Sequence, residues 1–290
     1  MIWNLGSINA DNFYRVPHLP GPGETLAATD FQQGLGGKGA NMSVAAARAG
    51  ARVTHIGAVG PDGDWARQRL LEYGVDTPHI ATTETATGHA NITVDISGEN
   101  NIVLFGGANQ ALTNQMIGAA LAEASPGDTL LLQNETNGQP FAVQTARTLG
   151  LKVVYAAAPF QAEAVQALMG QIDLLVLNAV EAEQLESAAG RGLRQLDIAD
   201  IVVTLGGDGC RWHSSSHAQA ETFGAYPVKS IDTTGAGDTF TGYLAAGLDR
   251  GLPMKDAIDL AMKAAALMVT RQGTADVIPD LKDIQDHDFS

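Results

Sequence analysis

The residues best suited to chemistry lie at 232–240 and read Asp-Thr-Thr-Gly-Ala-Gly-Asp-Thr-Phe. A β-type run over 226–231 leads into them, and a helical pattern runs from 235 to about 250. Gly235, Ala236 and Gly237 would bare consecutive backbone N–H groups at the start of that helix. Unpaired donors and the helix dipole both attract anions there. Asp238 stands directly beside them. A base next to an anion-binding turn is what moving a phosphoryl group onto an alcohol requires. The same residues also describe a capped helix entered through a tight turn, and this stretch alone does not separate the two readings.

Other clusters carry their own alternatives. Gly-Gly-Lys-Gly-Ala-Asn at 36–41 reads as a turn into a helix, and with Gly34 it satisfies GxGxxG. A dinucleotide site needs a strong strand just before the glycines, which Phe31-Gln-Gln does not supply. A phosphate-binding P-loop is excluded, because Lys38 is followed by Gly39 rather than Ser or Thr. Neither HExxH nor GxSxG occurs. Asn9 and Asp11 follow the first apolar run. A carboxylate accepts from two hydroxyls while an amide both donates and accepts, which suits a diol; the same pair would also serve a turn or a cap. Asn178 and Glu181 have the spacing of a capping box. Thr-Leu-Gly-Gly-Asp-Gly at 204–209 reads as a hairpin turn.

The motif at 232–240, preceded by Gly-Gly-Lys-Gly-Ala-Asn at 36–41, resembles the paired signatures of the ribokinase-type (PfkB-type) carbohydrate kinases. The resemblance extends over essentially the whole chain. It implies that Asp238 is the catalytic base, with the N–H groups of Gly235, Ala236 and Gly237 forming the anion hole. It implies a sugar site of Asn9, Asp11, Gly37, Lys38, Asn41, Glu135 and Asp238, with every family sugar position holding the expected residue type. That favours transfer of the ATP γ-phosphate to the primary 5-hydroxyl of D-ribose. Alternatives are a kinase of another pentose, a ketose or a nucleoside, or an inactive sugar- or nucleotide-binding protein; a dehydrogenase comes last. The resemblance further implies ATP and Mg²⁺ positioned by Asn178, Glu181, Thr204, Gly206, Gly207, Asp208, Gly209 and Gly237, with Met262 beside the adenine. A monovalent cation, K⁺, would lie near Asp232, Thr234, Met268, Arg271 and Gly273, mostly on backbone carbonyls. The chain departs from the family at three places. Ala-Ala-Ala-Pro at 156–159 replaces Asn-Pro-Ala-Pro, Val277 replaces a cation-binding serine, and Met262 replaces a polar residue.

Such a site needs strands whose C-terminal ends meet. Apolar runs at 1–5, 53–59, 129–132, 151–157, 174–177 and 201–205 read as buried parallel strands, with helical patterns at 40–49, 64–73 and between the later runs. Two β-runs flank a turn at 214–217, and helices at 235–250 and 254–271 precede a short tail. The expectation is one doubly wound α/β domain over 1–290, its mostly parallel sheet covered by helices on both faces. A β-like run at 25–33 and an alternating hairpin at 90–105 could be an edge hairpin of that sheet. The resemblance assigns segments 12–34 and 86–105 to a small β-sheet lid, whose exposed edge offers a homodimer contact.

The 290 residues are 45% apolar, with mean hydropathy near zero. Lys and Arg number 17 against 32 Asp and Glu, a net charge of −15, which argues against nucleic acid or an anionic membrane as partner. It also means that ATP must be held by local donors and cations. The single cysteine excludes an internal disulfide and a cysteine-based zinc site. With no apolar run of membrane-spanning length and a first segment that reads as a strand, a cytoplasmic enzyme is expected.

Overall fold

The computed structural model describes residues 1–217 and 219–289. The chain begins with β1 (Ile2–Leu5), then β2 (Asn9–Arg15), β3 (Asp30–Gly36), α1 (Lys38–Arg48), β4 (Val53–Val59), α2 (Asp64–Glu72) and β5 (Ile80–Thr82). A hairpin of β6 (Gly88–Val94) and β7 (Asn100–Phe105) follows. The alternating part comprises α3 (Asn114–Leu121), β8 (Thr129–Leu132), α4 (Gln139–Leu149), β9 (Lys152–Ala156), α5 (Ala162–Leu168), β10 (Leu174–Asn178), α6 (Ala179–Ala189) and β11 (Asp200–Thr204). It closes with β12 (Cys210–Ser214), β13 (Glu221–Phe223), α7 (Ala236–Asp249), α8 (Met254–Met268) and α9 (Leu281–Asp286).

The main sheet has the order β13-β12-β11-β10-β9-β8-β1-β4-β5 and is parallel from β11 through β5, with β12 and β13 antiparallel at one edge. From β1 the chain first runs outward to β4 and β5, then returns to lay β8 on the other side. The reversal between β1 and β8 makes their C-terminal ends the topological switch point, where open α/β sheets bind ligands. Both faces are covered. Leu130 and Leu132 pack with α3, α4, α5 and α6, while Leu131 packs with α1, α2, α7, α8 and α9. Alternation along a buried strand divides the core into these two layers. Among the described residues, no helix is long and apolar enough to cross a membrane.

The second sheet, in the order β3-β2-β6-β7, stands apart from the first. It is the expected separate small sheet rather than an edge hairpin, and its first segment reaches further: Asn9 and Asp11 lie within strand β2, not in a turn beyond β1. The run expected at 25–33 becomes a strand only from Asp30, after a connection containing Pro17, Pro20 and Pro22, and it continues into the glycines as far as Gly36. A strand therefore does precede the GxGxxG glycines. It is an antiparallel lid strand, not the buried parallel strand that a dinucleotide site requires.

Further differences have simple causes. Residues 226–231 form no strand: the sheet ends at β13, Pro227 has no N–H to donate, and Ile231 instead bonds through its N–H to Val269 O at 2.7 Å. Helix α8 stops at Met268, three residues short of expectation. The tail contains α9, started by a capping box between Asp280 and Asp283.

Candidate active site

The floor of the site is built where β1 and α1 cross. Gly37 precedes α1 with φ of 92°, a conformation open chiefly to glycine. A Cβ on Gly39 would fall 2.3 Å from Ser7 N, so only glycine lets the helix start lie against the turn after β1. Ser7 binds that helix start twice: its carbonyl accepts from Ala40 N at 2.8 Å and its Oγ from Gly39 N at 3.1 Å. The Ser7 hydroxyl donates to Glu135 Oε2 at 2.5 Å, and the same oxygen accepts from Lys38 N at 2.9 Å. Glu135 follows β8, so these bonds close the switch point between β1 and β8.

Beneath lies a buried polar network. Asn4 Nδ2 donates to Gly39 O and to Ser43 Oγ, at 2.8 and 2.7 Å. Ser43 then gives its own proton to His55 Nδ1 at 2.8 Å, which leaves His55 Nε2 to donate to Gly6 O at 3.0 Å. Burial pushes the His55 imidazole down to about 4, so the ring is neutral and this tautomer is fixed. Gln133 Nε2 completes the network on Asn4 Oδ1 at 2.9 Å.

Above this floor stand the charged groups. Asp238 lies in the first turn of α7 and accepts from Asn41 Nδ2 at 2.9 Å. That bond depends on close packing of α1 against α7, where a Cβ on Gly242 would sit 2.5 Å from Ala45 Cβ. Asp11 reaches in from the lid. A Cβ on Gly36, which pairs with Asn9 on the neighbouring strand, would fall 1.9 Å from Asp11 Oδ2, so the glycine makes room for the carboxylate. Burial, reinforced by Glu135 and Asp238 and opposed by Lys38, raises Asp11 to about 7. Burial raises Asp238 to about 6, opposed chiefly by Lys38 and the Asn41 bond. The Lys38 ammonium is held above its ordinary value, first by Asp238 and then by Glu135, Glu181 and Asp11. Asn41 Oδ1 is buried without a protein partner among the described residues, as expected of an atom that faces a ligand hydroxyl.

The start of α7 serves the anion role in part. Gly235 is left-handed, and Ala236 N already donates to Thr233 O at 3.2 Å. The N–H groups of Gly237 and Asp238 have no protein acceptor among the described residues.

The expected nucleotide residues gather at the C-terminal ends of β10 and β11. Asn178 and Glu181 form a complete capping box, with Glu181 Oε2 accepting from Asn178 N at 2.8 Å. Burial raises the Glu181 carboxyl, and Lys38 counters it, so this end of the site is in electrostatic reach of the sugar end. Thr204 Oγ1 bonds Leu177 O at 3.3 Å, and Gly206–Asp208 turn tightly into β12. A Cβ on Gly209 would overlap Phe223 O. Met262 is mostly buried on α8, near Tyr226 in the same core layer. Beside the altered 156–159 segment, Asn134 Nδ2 bonds Pro159 O at 2.9 Å.

The proposed cation residues divide. Asp232 joins two loops, accepting from Thr234 N at 2.9 Å and Gly273 N at 3.3 Å. The Met268 side chain instead turns into the core, where its Sδ accepts from Thr239 Oγ1. The Arg271 side chain is committed to Val277 O and Asp283. Only their backbone carbonyls remain for an ion.

Sequence reading missed Ser7, the Asn4–Ser43–His55–Gln133 network and Asn109. Asn109 Oδ1 accepts from Ile8 N at 2.9 Å, and its Nδ2 donates to Asn9 Oδ1 at 2.7 Å and to Ile8 O at 3.2 Å. Ser7 directly follows Gly6, the one local signal available, and Asn109 carries none.

Comparisons with known proteins show the family and the fold. The pfkB family carbohydrate kinase profile matches residues 2–281. The chain is 38% identical over 290 residues to a ribokinase of Haemophilus influenzae, covering 95% of this chain and 94% of that protein. The structure is similar to that of a ribokinase from Cryptococcus neoformans var. grubii serotype A in complex with ADP, with a TM-score of 0.88, 29% identity and 98% of each chain covered. It also resembles an Arabidopsis thaliana ribokinase complexed with ribose and ATP, with a TM-score of 0.85 and 26% identity, over 98% of this chain and 97% of that one.

Proposed function

Because this chain belongs to the pfkB family of carbohydrate kinases, we propose that it acts as a ribokinase, transferring the γ-phosphoryl group of ATP to the primary 5-hydroxyl of D-ribose. The observation that carries the reading is Asp238: a buried carboxylate held by Asn41, beside free N–H groups at a helix start and within reach of Lys38.

The sugar lies over the switch point, with its hydroxyls on Asn9, Asp11, Lys38, Asn41 and Glu135 and the loop at Gly37 drawn close. Asp238 accepts the proton of the attacking hydroxyl as the oxygen bonds to phosphorus. A base raised to about 6 is ionised at neutral pH yet basic enough to take that proton. The N–H groups at the start of α7 stabilise charge on the transferring group, Gly237 through its unbonded N–H, with Gly235 and Ala236 shaping the turn.

ATP extends toward Asn178, Glu181, Thr204, Gly206, Gly207, Asp208 and Gly209, with adenine near Met262. Among the described residues, no cluster of three His, Cys, Asp or Glu side chains could cage a metal ion. This donor set fits Mg²⁺, which binds through one or two carboxylates plus substrate phosphates and water. Glu181 has one oxygen outside its capping bond and would face that ion, whose charge offsets that of the phosphates. K⁺ would be held by carbonyls of Thr234, Met268, Arg271 and Gly273 around the Asp232 loop tie.

The chain acts as one domain over 1–290 in a cytoplasmic setting, and its lid excludes water during transfer. Ile102, Val103, Leu104 and Phe105 on edge strand β7 are all exposed, and Phe31 is exposed on β3. This apolar surface suits a homodimer through the lid sheets. The test of function is ATP consumption with D-ribose, 2-deoxyribose, fructose and adenosine. D-ribose should give the highest kcat/KM, and no ribose-dependent turnover would reject the reading.

A further inference from the structure

We propose that Asn109 is a positioning residue that fixes which way round the Asn9 amide faces, so that the site offers a donor at Asn9 beside an acceptor at Asp11. The proposal rests on the ribokinase reading for its substrate but not for its geometry.

The orientation follows from groups whose roles are fixed. Ile8 N–H can only donate and Ile8 O can only accept, so Asn109 must place Oδ1 on the first and Nδ2 on the second, at 2.9 and 3.2 Å. The same Nδ2 approaches Asn9 at 2.7 Å, so the Asn9 atom facing it must be oxygen. Asn9 then has its acceptor engaged by the protein, and its Nδ2 has no protein partner among the described residues. Asn109 is 1% exposed, so water does not replace it.

The neighbouring backbone is shaped around this bond. Gly88 opens β6 and pairs with Asn9 in β2. A Cβ there would fall 2.1 Å from Asn109 Nδ2 and 2.5 Å from Asn9 Oδ1, so glycine is the residue that leaves the bond intact. A hydroxyl at Asn9 must therefore accept, and keeps its own proton to give to Asp11. The pair reads a hydroxyl directionally: donor from one side, acceptor on the other.

The test compares Asn109→Asp, Gly88→Ala and the double variant by calorimetry with D-ribose and, separately, ATP. Asn109→Asp keeps an acceptor for Ile8 N–H but loses the donor to Asn9, whereas Gly88→Ala wedges the same bond with Asn109 intact. Each single change should raise the ribose Kd about 10- to 100-fold and alter the ATP Kd less than about threefold. The double should be no weaker than the poorer single, because both break one interaction. A folded variant that binds ribose like the wild type overturns the proposal. So does a joint fall in ribose affinity, ATP affinity and Tm, which would mark a role in the fold alone. If the wild type binds no ribose, the ribokinase reading fails, and the amide orientation is read without sugar by side-chain amide exchange. Slow exchange at Asn109 with fast exchange at Asn9 supports the assignment, and the reverse refutes it.

Discussion

Asp238→Asn is the most informative single change. It preserves shape, and the carbonyl oxygen of the introduced amide can still accept from Asn41 Nδ2, which lies 2.9 Å from the native carboxylate. What disappears is a site for the proton. General-base contributions are of order 100- to 10,000-fold, so kcat should fall within that range, about 2.7–5.5 kcal/mol of barrier. Ribose and ATP affinities should hardly change, since the lost interaction acts in the transition state. The pH dependence sharpens the test. Burial raises Asp238 to about 6 and Asp11 to about 7 in the free enzyme, and both must be ionised to work. kcat/KM should therefore fall on the acid side through both. At saturating ribose Asp11 is engaged by the sugar, so the acid limb of kcat belongs to Asp238 and should vanish in the variant. The assay is coupled ATP consumption from pH 5 to 9, with calorimetric Kd values for both ligands. A variant that keeps more than about a tenth of wild-type kcat, with chemistry rate-limiting, would refute Asp238 as the base. An unchanged acid limb in the variant would refute it equally.

Gly36→Ala should force the Asp11 carboxylate aside, since the new Cβ would fall 1.9 Å from Oδ2. Losing one charged hydrogen bond, about 1.5–3 kcal/mol, should raise the ribose KM roughly 10- to 150-fold and leave the ATP KM alone; an unchanged ribose KM would contradict this. Asp11 is raised to about 7, so ribose affinity without nucleotide should weaken about tenfold between pH 8 and 6; calorimetry at both values decides. A carboxyl raised by folding favours the native state below its unfolded value, and that advantage is lost as pH rises toward about 7. Asp11→Asn should therefore raise Tm at pH 8 relative to wild type and lose that gain near pH 4, which thermal melts at both values would show. If carbonyls around Asp232 hold K⁺, activity should rise when K⁺ replaces Na⁺, and a rate indifferent to the cation would remove that site. Val103→Lys with Leu104→Lys should turn a sedimenting dimer into a monomer, and an unchanged mass would exclude the lid contact.

The α/β frame was legible because buried parallel strands read as short apolar runs, and those at 129–132 and 174–177 stand close to where they were read. The heart of the candidate site was legible in two motifs far apart in sequence, which the crossing of α1 on α7 brings together at the Asn41–Asp238 bond. The lid was only half legible. Asn9 and Asp11 read as a loop because one strand that pairs with them, β3, lies beyond a proline-rich connection and supplies glycines opposite them, and the other, β6, lies much later in the chain. The run at 226–231 looked like a strand from composition, yet no neighbour remained for it to pair with. Asn109 was invisible for a different reason. Its partners are backbone groups and one amide about a hundred positions away, and no local pattern encodes a contact of that separation.

The proposed sugar residues come from positions 9–11, 37–41, 135 and 238, and they meet only when β2, α1, α7 and the turn after β8 are all in place. No single segment holds the whole set, since Glu135 and Asp238 come from parts of the chain distant from 9–41, so ligand binding reports on the assembled fold. Ribose at a hundred times its Kd would add about 2.7 kcal/mol to the unfolding free energy. That increment would be shared by both halves of the sheet rather than confined to one opening unit. Backbone amides of β2, β8, α1 and α7 should then slow in hydrogen exchange together when ribose is added, while those of the β12–β13 hairpin, at one edge of the main sheet, keep their own pace.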